Sequence, residues 1–406
     1  MQDNEKKPAL RFKGFTDPWE QRKLEEYLEV SSQKNFEGIY TKEDVLSVSG
    51  DFGIVNQIEF QGRSFAGASV ANYGVVETGD IVYTKSPLKS NPYGIIKANK
   101  GKNGIVSTLY AVYKPKQSVN PEFVQIYFEQ DARMNNYMHP LVNKGAKNDM
   151  KVSAENALMG QIVFPDIKEQ RTISEFFRNL ETLITLHQRK YEKLVNIKKS
   201  MLNKMFPPNG ASVPEIRFKG FTDPWEQRKL KELYFQLTER NTDLLPYQKT
   251  LSVATMSFKT DGNGAADTSL ANYKRLRTGD IAFEGHTSKE FRYGRFVLND
   301  VGDGIMSPRF SALRPLHEMP INFWKYYIHY EPIMRKVLVN STKAGTMMNE
   351  LVINDFLQGS ILVPSMAEQQ AIGRFFKQLD TLITLHQRKL EKLQNIKKSC
   401  LEKMFV

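Results

Sequence analysis

The stretch RFKGFTDPWEQRKL occupies residues 11–24, and the same fourteen residues recur at 217–230. A second stretch, TLITLHQRK, occupies residues 182–190 and recurs at 381–389. The segments between these repeats differ from each other. An internal repeat has to be interpreted before any local motif, because it defines the architecture. This one predicts two halves of one fold, with constant parts that have the same role twice and variable parts that have related but different roles.

Landmarks between the repeats keep their order while their spacing changes slowly. The spacing falls from 205 residues between Leu46 and Leu251 to 200 between Thr78 and Thr278, and to 199 for the closing repeats. Chance similarity would not preserve order in this way. The pattern predicts one shared fold with small insertions in the loops of the first half.

Apolar residues follow alternating steps of four and three through the end of each half, which is the seam of a coiled coil. The seam positions that we assign are Ile173, Phe177, Leu180, Ile184 and His187, and in the second copy Ile372, Phe376, Leu379, Ile383 and His386. At about 1.5 Å per residue, each helix would be roughly 55–60 Å long. The two histidines are interpreted as polar, register-setting positions rather than metal ligands. Two equal helices in one chain favour an antiparallel pair.

The variable halves contain short strand patterns, turn signals and apolar runs that end at a proline. The expected fold class is therefore α+β, with two pseudo-twofold-related mixed α/β domains joined by a long antiparallel two-helix coiled coil. The expected boundaries are 1–165 for the first domain with its opening segment, 166–206 for the first helix, 207–216 for a linker, 217–364 for the second domain with the repeated opening segment, and 365–406 for the second helix.

Composition limits the class of protein. The formal net charge is +12, which favours a polyanionic partner and most often nucleic acid. The single cysteine, Cys400, excludes an intramolecular disulfide and a cysteine-based zinc cluster. The polar start and the lack of a run of eighteen apolar residues argue against a signal peptide and a membrane span. A cytoplasmic protein without a membrane partner is expected.

Basic and amide side chains concentrate in matching zones of the two halves, as expected of loops that contact DNA. In the first half these candidates are Lys85, Lys89, Asn91, Tyr93, Lys102 and Asn103, from a lysine-rich stretch without acidic residues, and Lys144, Lys147 and Asn148; in the second half they are His286, Lys289, Arg292, Arg295, Arg309, Lys343 and Thr346. Lysine suits phosphate groups, whereas arginine can bind guanine with two hydrogen bonds. We expect the lysines to contact mainly phosphates and at least one of the three arginines to read a guanine. The alternative is a set of solvated surface loops.

The order of the motifs resembles a known family. Each half has the opening segment, a variable domain, the pattern Pro-x-x-x-Glu-Gln-x-x-Ile-x-x-Phe-Phe and a long helix. The pattern stands at Pro165, Glu169, Gln170, Ile173, Phe176 and Phe177, and again at Pro364, Glu368, Gln369, Ile372, Phe375 and Phe376. Over essentially the whole chain, this arrangement resembles the specificity subunit of bacterial type I restriction-modification systems.

The resemblance implies two target-recognition domains that each read one half of a split site in double-stranded DNA. It also implies two modification subunits, which are adenine methyltransferases using S-adenosylmethionine, and restriction subunits that form an ATP- and Mg-dependent translocase and nuclease. The chain itself would have no catalytic residues, no metal and no cofactor. Two alternatives stay open from the residues: a coiled-coil scaffold with two ligand-binding modules not specific for DNA, and an enzyme that acts on DNA alone.

Overall fold

The structure is a computed structural model that describes residues 7–85, 88, 90–142, 152–207, 211–259 and 267–406. It divides into two compact units. The first unit comprises Met1–His187 and Lys389–Val406, and the second comprises Gln188–Arg388. Each unit thus contains one variable half of the chain together with parts of both repeated helical segments. The domain boundaries expected from the sequence stay predictions.

The first unit is a mixed α and β structure. Its strands within the described residues are β1 (Glu20–Lys23), β2 (Leu28–Val30), β3 (Leu46–Ser49), β4 (Gly53–Asn56), β5 (Gly74–Val76), β6 (Ile81–Thr84), β7 (Ile96–Ala98), β8 (Gly104–Val106), β9 (Tyr110–Pro115) and β10 (Gln161–Phe164). Its short helices are α1 (Gln57–Gln61), α2 (Pro121–Tyr127) and α3 (Asp131–Met138), and the long helix α4 spans Ile167–Met205.

An antiparallel sheet of four strands in the order β2-β9-β6-β7 forms the centre of the first unit. Strand β6 is buried along its whole length, and its side chains alternate between two apolar clusters. Ile81 and Tyr83 pack in the cluster that contains α2 and α3, whereas Val82 packs against residues of β3, β5 and β8. The sheet therefore supports a helical layer on one face and small two-stranded sheets on the other.

The second unit has the same topology. Its strands within the described residues are β11 (Glu226–Lys229), β12 (Tyr234–Gln236), β13 (Leu251–Ser252), β14 (Ser257–Phe258), β15 (Lys274–Leu276), β16 (Ile281–Glu284), β17 (Arg295–Leu298), β18 (Gly304–Met306), β19 (Ala312–Pro315), β20 (Thr342–Lys343), β21 (Glu350–Leu351) and β22 (Ser360–Val363). Its helices are α5 (Ile321–Tyr327), α6 (Glu331–Ser341) and α7 (Ile353–Gln358). The long helix α8 spans Met366–Lys403, and its residues from Lys389 onward belong to the first unit. The central sheet has the order β12-β19-β16-β17, which corresponds strand by strand to that of the first unit.

Both long helices begin after a proline and with a side-chain cap. Asp166 accepts hydrogen bonds from the backbone N–H groups of Lys168 and Glu169 at 2.7 and 2.9 Å, and Ser365 accepts one from Glu368 at 3.4 Å. Such caps satisfy backbone donors that have no partner inside the helix. The seam predicted from the sequence is thus placed on two helices of nearly equal length.

Within each unit, segments of the two long helices run antiparallel. In the first unit, Phe177 of α4 lies 6.2 Å from Phe405, just beyond α8, and Glu181 bonds Lys397 at 3.3 Å, so the numbers rise along one helix and fall along the other. In the second unit, Lys198 pairs with Asp380 at 2.6 Å, and the ring of Phe206, just beyond α4, lies 5.8 Å from that of Phe376, so the helices run in opposite directions there too. This confirms the predicted fold class of two mixed α/β domains connected by antiparallel helices.

The duplicated opening segment anchors each domain to the start of its own long helix. Arg11 donates two hydrogen bonds of 2.7 Å to the two oxygens of Glu169, whose side chain is 1% exposed. Arg217 binds Glu368 with the same two distances and the same burial. Paired hydrogen bonds between guanidinium and carboxylate are strong and fix orientation. The identity of the two opening segments therefore has a structural cause in both units.

Candidate nucleic-acid interface

Two loops of the second unit meet at one end of its central sheet. The first loop, residues 285–294, connects β16 to β17, and the second, residues 344–349, connects β20 to β21. The backbone N–H of Asn349 donates to the carbonyl of Gly285 at 2.9 Å, and its side-chain amide donates to the carbonyl of Arg292 at 3.2 Å. A Cβ atom at position 285 would overlap the carbonyl oxygen of Asn349, so only glycine allows this approach.

Arg309 reaches the same end of the sheet from the turn before β19. This turn is fixed by a 2.8 Å hydrogen bond from the Phe283 N–H to the Ser311 carbonyl. Arg309 and Asn349 line one cavity of about 310 Å³. Three loops, separated by many residues in the sequence, thus form one surface that we call the second reading surface.

Most of the candidates predicted in the second half lie exposed on or beside this surface. The exposed ones are His286, Lys289, Arg292, Arg309, Lys343 and Thr346. Arg295 is half-buried, since it donates to the Ala254 carbonyl at 3.0 Å and stacks over the ring of Phe291 at 4.8 Å. A guanidinium has five N–H donors, so this anchoring leaves others for a ligand. The structure brings these side chains together, and their contact with DNA stays a proposal.

The loop below these arginines rests on a half-buried histidine. The ring of Phe291 packs on that of His329 at 5.0 Å, and Nδ1–H of His329 donates to the Phe296 carbonyl at 2.9 Å. Burial lowers the pKa of His329 from its ordinary value, with a smaller contribution from the charge of Arg295. The imidazole therefore supports the loop through its ring contact with Phe291 and its hydrogen bond to Phe296.

In the first unit, the corresponding connection between β6 and β7 includes the described residues Lys85, Leu88 and 90–94. The backbone N–H of Lys85 donates to the carbonyl of Leu109 at 3.3 Å, and the loop is closed by paired backbone hydrogen bonds between Leu88 and Asn91. A Cβ atom at Gly94, which has a φ of 87°, would overlap the Thr84 carbonyl oxygen. Lys85 and Tyr93 are both half-buried at this end of the sheet, which we call the first reading surface.

The prediction that Lys85 to Asn103 forms one lysine-rich loop is wrong. Strands β6 and β7 pair antiparallel, with Ile81 opposite Ala98, so residues beyond Ala98 lie at the end of the sheet away from Lys85. Lys102 is exposed there. Asn103 accepts hydrogen bonds from the backbone and hydroxyl of Thr78 and stabilises a turn. Lys102 and Asn103 are therefore not part of the first reading surface.

Asn91 also has a role that the sequence did not indicate. Its side chain is 6% exposed, and its amide donates to Asp131 at 2.7 Å, which connects the loop to the start of α3. It positions the loop, and this contact replaces its expected role as a base reader. Lys89, Lys144, Lys147 and Asn148 lie outside the described residues, so their assignment stays a prediction.

The repeated helical segments have one buried and one exposed side. Among the seam residues, the six nearest the helix starts are buried, whereas Ile184, His187, Ile383 and His386 are half-buried. The outer side of each identical segment exposes two leucines, Leu183 and Leu186 at 45% and 44%, and Leu382 and Leu385 at 43% and 47%. Equal apolar side chains are thus presented twice on segments of identical sequence.

Sequence reasoning missed two residues of the second reading surface, Glu284 and Asn349. Glu284 ends a strand whose counterpart in the first half ends in Thr84, and this difference within a shared pattern was the available signal. Asn349 carried no signal, because its role depends on a contact with a distant loop. Among the residues that the structure describes, no cluster of three His, Cys, Asp or Glu side chains could hold a metal ion. None of the described helices is long and apolar enough to cross a membrane.

Two units of one topology, each with polar and basic loops at one end of its sheet, are typical of modular DNA-recognition proteins. Residues 223–395 match the family model of the type I restriction modification DNA specificity domain. The chain is also 20% identical over 414 aligned positions to a putative type I restriction enzyme MjaX specificity subunit of Methanocaldococcus jannaschii, covering 94% of this chain and 91% of the relative.

Two solved structures are similar to the chain. The S subunit of a type I restriction-modification system from M. genitalium superposes with a TM-score of 0.52 at 11% identity, covering 98% of this chain and 99% of that one. An HsdS subunit from Thermoanaerobacter tengcongensis gives 0.46 at 16% identity, covering 95% and 96%. The first of these similarities supports the fold.

The similarity to type I restriction-modification specificity subunits thus covers the second half of the chain by the family model and nearly the whole chain by the relative. The matched model describes a DNA specificity domain. The arrangement of the DNA site and the identity of the partners are the subject of the proposal below.

Proposed function

We propose that the chain reads a split, asymmetric DNA site, with one half-site for each unit, and directs adenine methylation and restriction by partner subunits. The observation that carries the proposal is the contrast between a shared frame and different loop residues. At corresponding positions the first unit has Thr84, Ile95 and Leu109, whereas the second has Glu284, Arg295 and Arg309. Two readers with different side chains suit two different half-sites.

The partners that we propose are two copies of one modification subunit. The support is the double presentation of identical surfaces, which suits one partner bound twice. Leu183 and Leu186 on α4, and Leu382 and Leu385 on α8, are exposed within identical segments. Exposed apolar side chains that recur in this way favour a protein partner. Restriction subunits would then join the assembled complex.

The chemistry in this proposal belongs to the partners. The modification subunits would use S-adenosylmethionine, and the restriction subunits would use ATP and Mg, whereas this chain would need no cofactor. The purified chain should therefore neither cleave nor methylate DNA on its own. Because the proposed substrate is host or incoming DNA, we also propose a cytoplasmic location.

Mapping of methylated adenines in a genome that carries the chain and its partners tests the proposal. A two-part motif with a fixed spacer is expected, and a single continuous motif would contradict it. A salt titration separates DNA binding from a scaffold function, because DNA binding weakens steeply as ionic strength rises.

A second experiment tests the docking surface. The double variant Leu183→Glu and Leu382→Glu places charge on the exposed side of both identical segments and should abolish assembly with the modification subunits while DNA binding persists. Val195→Glu is the matched control, since Val195 is exposed on α4 but the corresponding residue of α8 is Gln394. Assembly that survives the double variant would place the partner elsewhere.

A further inference from the structure

Glu284, the last residue of β16, is a buried carboxylate beside an apolar cluster. Side chains alternate along a strand, so Glu284 lies on the same face as Ala282. Ala282 packs in a cluster with Leu251, Met306 and Ala312. Glu284 is itself only 4% exposed. Burying an ionised carboxylate is unfavourable unless hydrogen bonds or charges compensate it.

Only one oxygen of this carboxylate has partners in the part of the chain that the structure describes. The backbone N–H of His286 donates to Oε1 of Glu284 at 3.1 Å, and Nδ1 of the same residue lies against the same oxygen. An ionised carboxylate can accept about four hydrogen bonds. Oε2 is therefore available to accept a hydrogen bond from a ligand.

A small cavity adjoins the carboxylate. Its volume is about 180 Å³, and its polar lining comprises Glu284, Thr250, Ser252, Lys259 and Ser307. Thr250 is 2% exposed, and its hydroxyl oxygen has no hydrogen-bond partner among the described residues. Buried polar groups are normally hydrogen-bonded, so two incompletely satisfied groups on one cavity indicate a place for a polar ligand.

The first unit builds the same frame without these groups. Its residues at the corresponding positions are Thr84 for Glu284 and Val45 for Thr250. Val45 is buried in an apolar cluster with Val75 and Ile105. Because the shared fold forms with threonine and valine there, the carboxylate and hydroxyl of the second unit are not required for folding. Side chains that distinguish one half-site from the other are expected in one unit alone, and these two groups meet that expectation.

The site also lies where the proposed function needs it. Glu284 immediately precedes the loop 285–294 of the second reading surface. It is paired across the sheet with Arg295, which anchors on the Ala254 carbonyl beside the same cavity. A base approached by these loops would thus have both a carboxylate and a guanidinium near its edge.

We infer that Glu284 is a specificity-determining residue of the second unit, which accepts a hydrogen bond from the exocyclic amino group of a base. This inference rests on the proposed function. In the major groove, cytosine N4 and adenine N6 are amino donors, whereas guanine O6 and thymine O4 are acceptors. A carboxylate therefore selects the first two bases and rejects the others.

The experiment is the selection of duplexes from a randomised double-stranded DNA pool by the full-length chain, followed by sequencing. The wild type should enrich two half-sites. Glu284→Gln keeps the shape of the side chain. Because the His286 N–H binds the remaining carbonyl oxygen, the substitution places an amide donor where Oε2 lies. It should reduce discrimination at one base pair of one half-site by roughly 5- to 150-fold, while the other half-site stays unchanged. Glu318→Gln, at an exposed carboxylate of the second unit outside the reading loops, is the control and should change nothing.

Two further measurements guard against a folding defect. Glu284→Thr introduces the residue of the first unit and should fold with the same loss of discrimination. In duplexes made for the wild-type chain, the amino group at the identified position is deleted, with purine in place of adenine or 2-pyrimidinone in place of cytosine. This deletion should weaken DNA binding by the wild type and leave binding by Glu284→Gln unchanged. It also shows which of the two bases is read.

The outcomes separate the two proposals. If the wild type enriches two half-sites but Glu284→Gln and Glu284→Thr keep every preference, the inference is overturned and the proposed function stands. The inference is also overturned if the wild type binds equally well to every duplex in which one amino group of the second half-site has been deleted. If the wild type itself selects no motif, the proposed function fails and the inference fails with it.

Discussion

The first and second units place the same four-stranded sheet under different loops. Inside the sheets, corresponding residues keep one function: Lys114 bonds Asp80 in the first unit, and Arg314 bonds Asp280 in the second. At the reading ends, the residue types change from Thr84 to Glu284 and from Leu109 to Arg309. The comparison indicates that the frame is held by packing and internal ion pairs, so the loops at one end are free to differ. Four predictions test how far this holds.

The largest effect is expected where the two units are most alike. Glu169→Ala and Glu368→Ala each leave a largely buried arginine without its carboxylate, which should lower the free energy of unfolding by about 3 kcal/mol. Because Arg11 binds Glu169 as Arg217 binds Glu368, the two losses should be similar when each unit is followed by hydrogen exchange.

The exposed pair of Glu20 and Arg22 in the same segment provides the control, and Glu20→Ala should have little effect. Clearly unequal losses for Glu169→Ala and Glu368→Ala would show that the opening segment has different structural roles in the two units.

The second prediction concerns the arginines that only the second unit has at its reading end. Arg292→Ala or Arg309→Ala should weaken binding by about 1–3 kcal/mol and relax specificity at one base pair of the second half-site. The first half-site should not change, because the loops belong to different units. Methylation sequencing of each variant in the assembled complex measures this, with Arg228→Ala as an exposed control distant from the loops in sequence. If variants at Arg292, Arg295 and Arg309 all keep the original target, the reading loop is elsewhere.

A third prediction distinguishes the two ends of one sheet in the first unit. Lys85→Ala should weaken binding to all sequences and reduce the slope of log affinity against log salt by roughly one unit, as expected for a lost phosphate contact. Lys102→Ala should leave the slope unchanged, because Lys102 lies at the opposite end of the sheet. Equal slopes for the two variants would contradict the first reading surface. Salt titrations with one duplex suffice.

The smallest effect concerns one position inside the shared frame at which the two units differ. The first unit has Glu129 there, and the second has His329. Burial lowers the pKa of His329 below its ordinary 6.5, so the unfolded chain binds a proton more readily than the folded one. The second unit should therefore lose stability as the pH falls through 6.5 towards the lower folded pKa, and no loss is expected above 6.5. Glu129 instead accepts a 2.7 Å hydrogen bond from Lys397.

Hydrogen exchange of the second unit at several pH values measures this dependence. His329→Gln removes the titrating group and should flatten the profile of the second unit between 6.5 and the folded pKa. An unchanged profile in the variant would show that other groups cause the pH dependence. The charged groups that act on His329 itself are Glu290, Arg295 and Lys198.

The sequence by itself determined the features that repeat or are local. The duplicated segments predicted two domains of one fold, and steps of four and three predicted the long helices. These patterns are read from neighbouring residues, because helix and strand periodicities depend on short-range geometry. The seam also predicted the antiparallel arrangement that Phe177 and Phe405 show in the first unit.

Only the tertiary structure decided which of the candidate residues lie together. Antiparallel pairing of β6 and β7 separates Lys85 from Lys102, although both belong to one basic stretch. Asn349 contacts Gly285 across more than sixty residues of sequence, and Asn91 turns inward to Asp131. Composition and spacing carry no information on such contacts, because they arise from the packing of distant segments. For the same reason, the buried carboxylate of Glu284 was recognisable as part of a reading surface only once its cavity was seen.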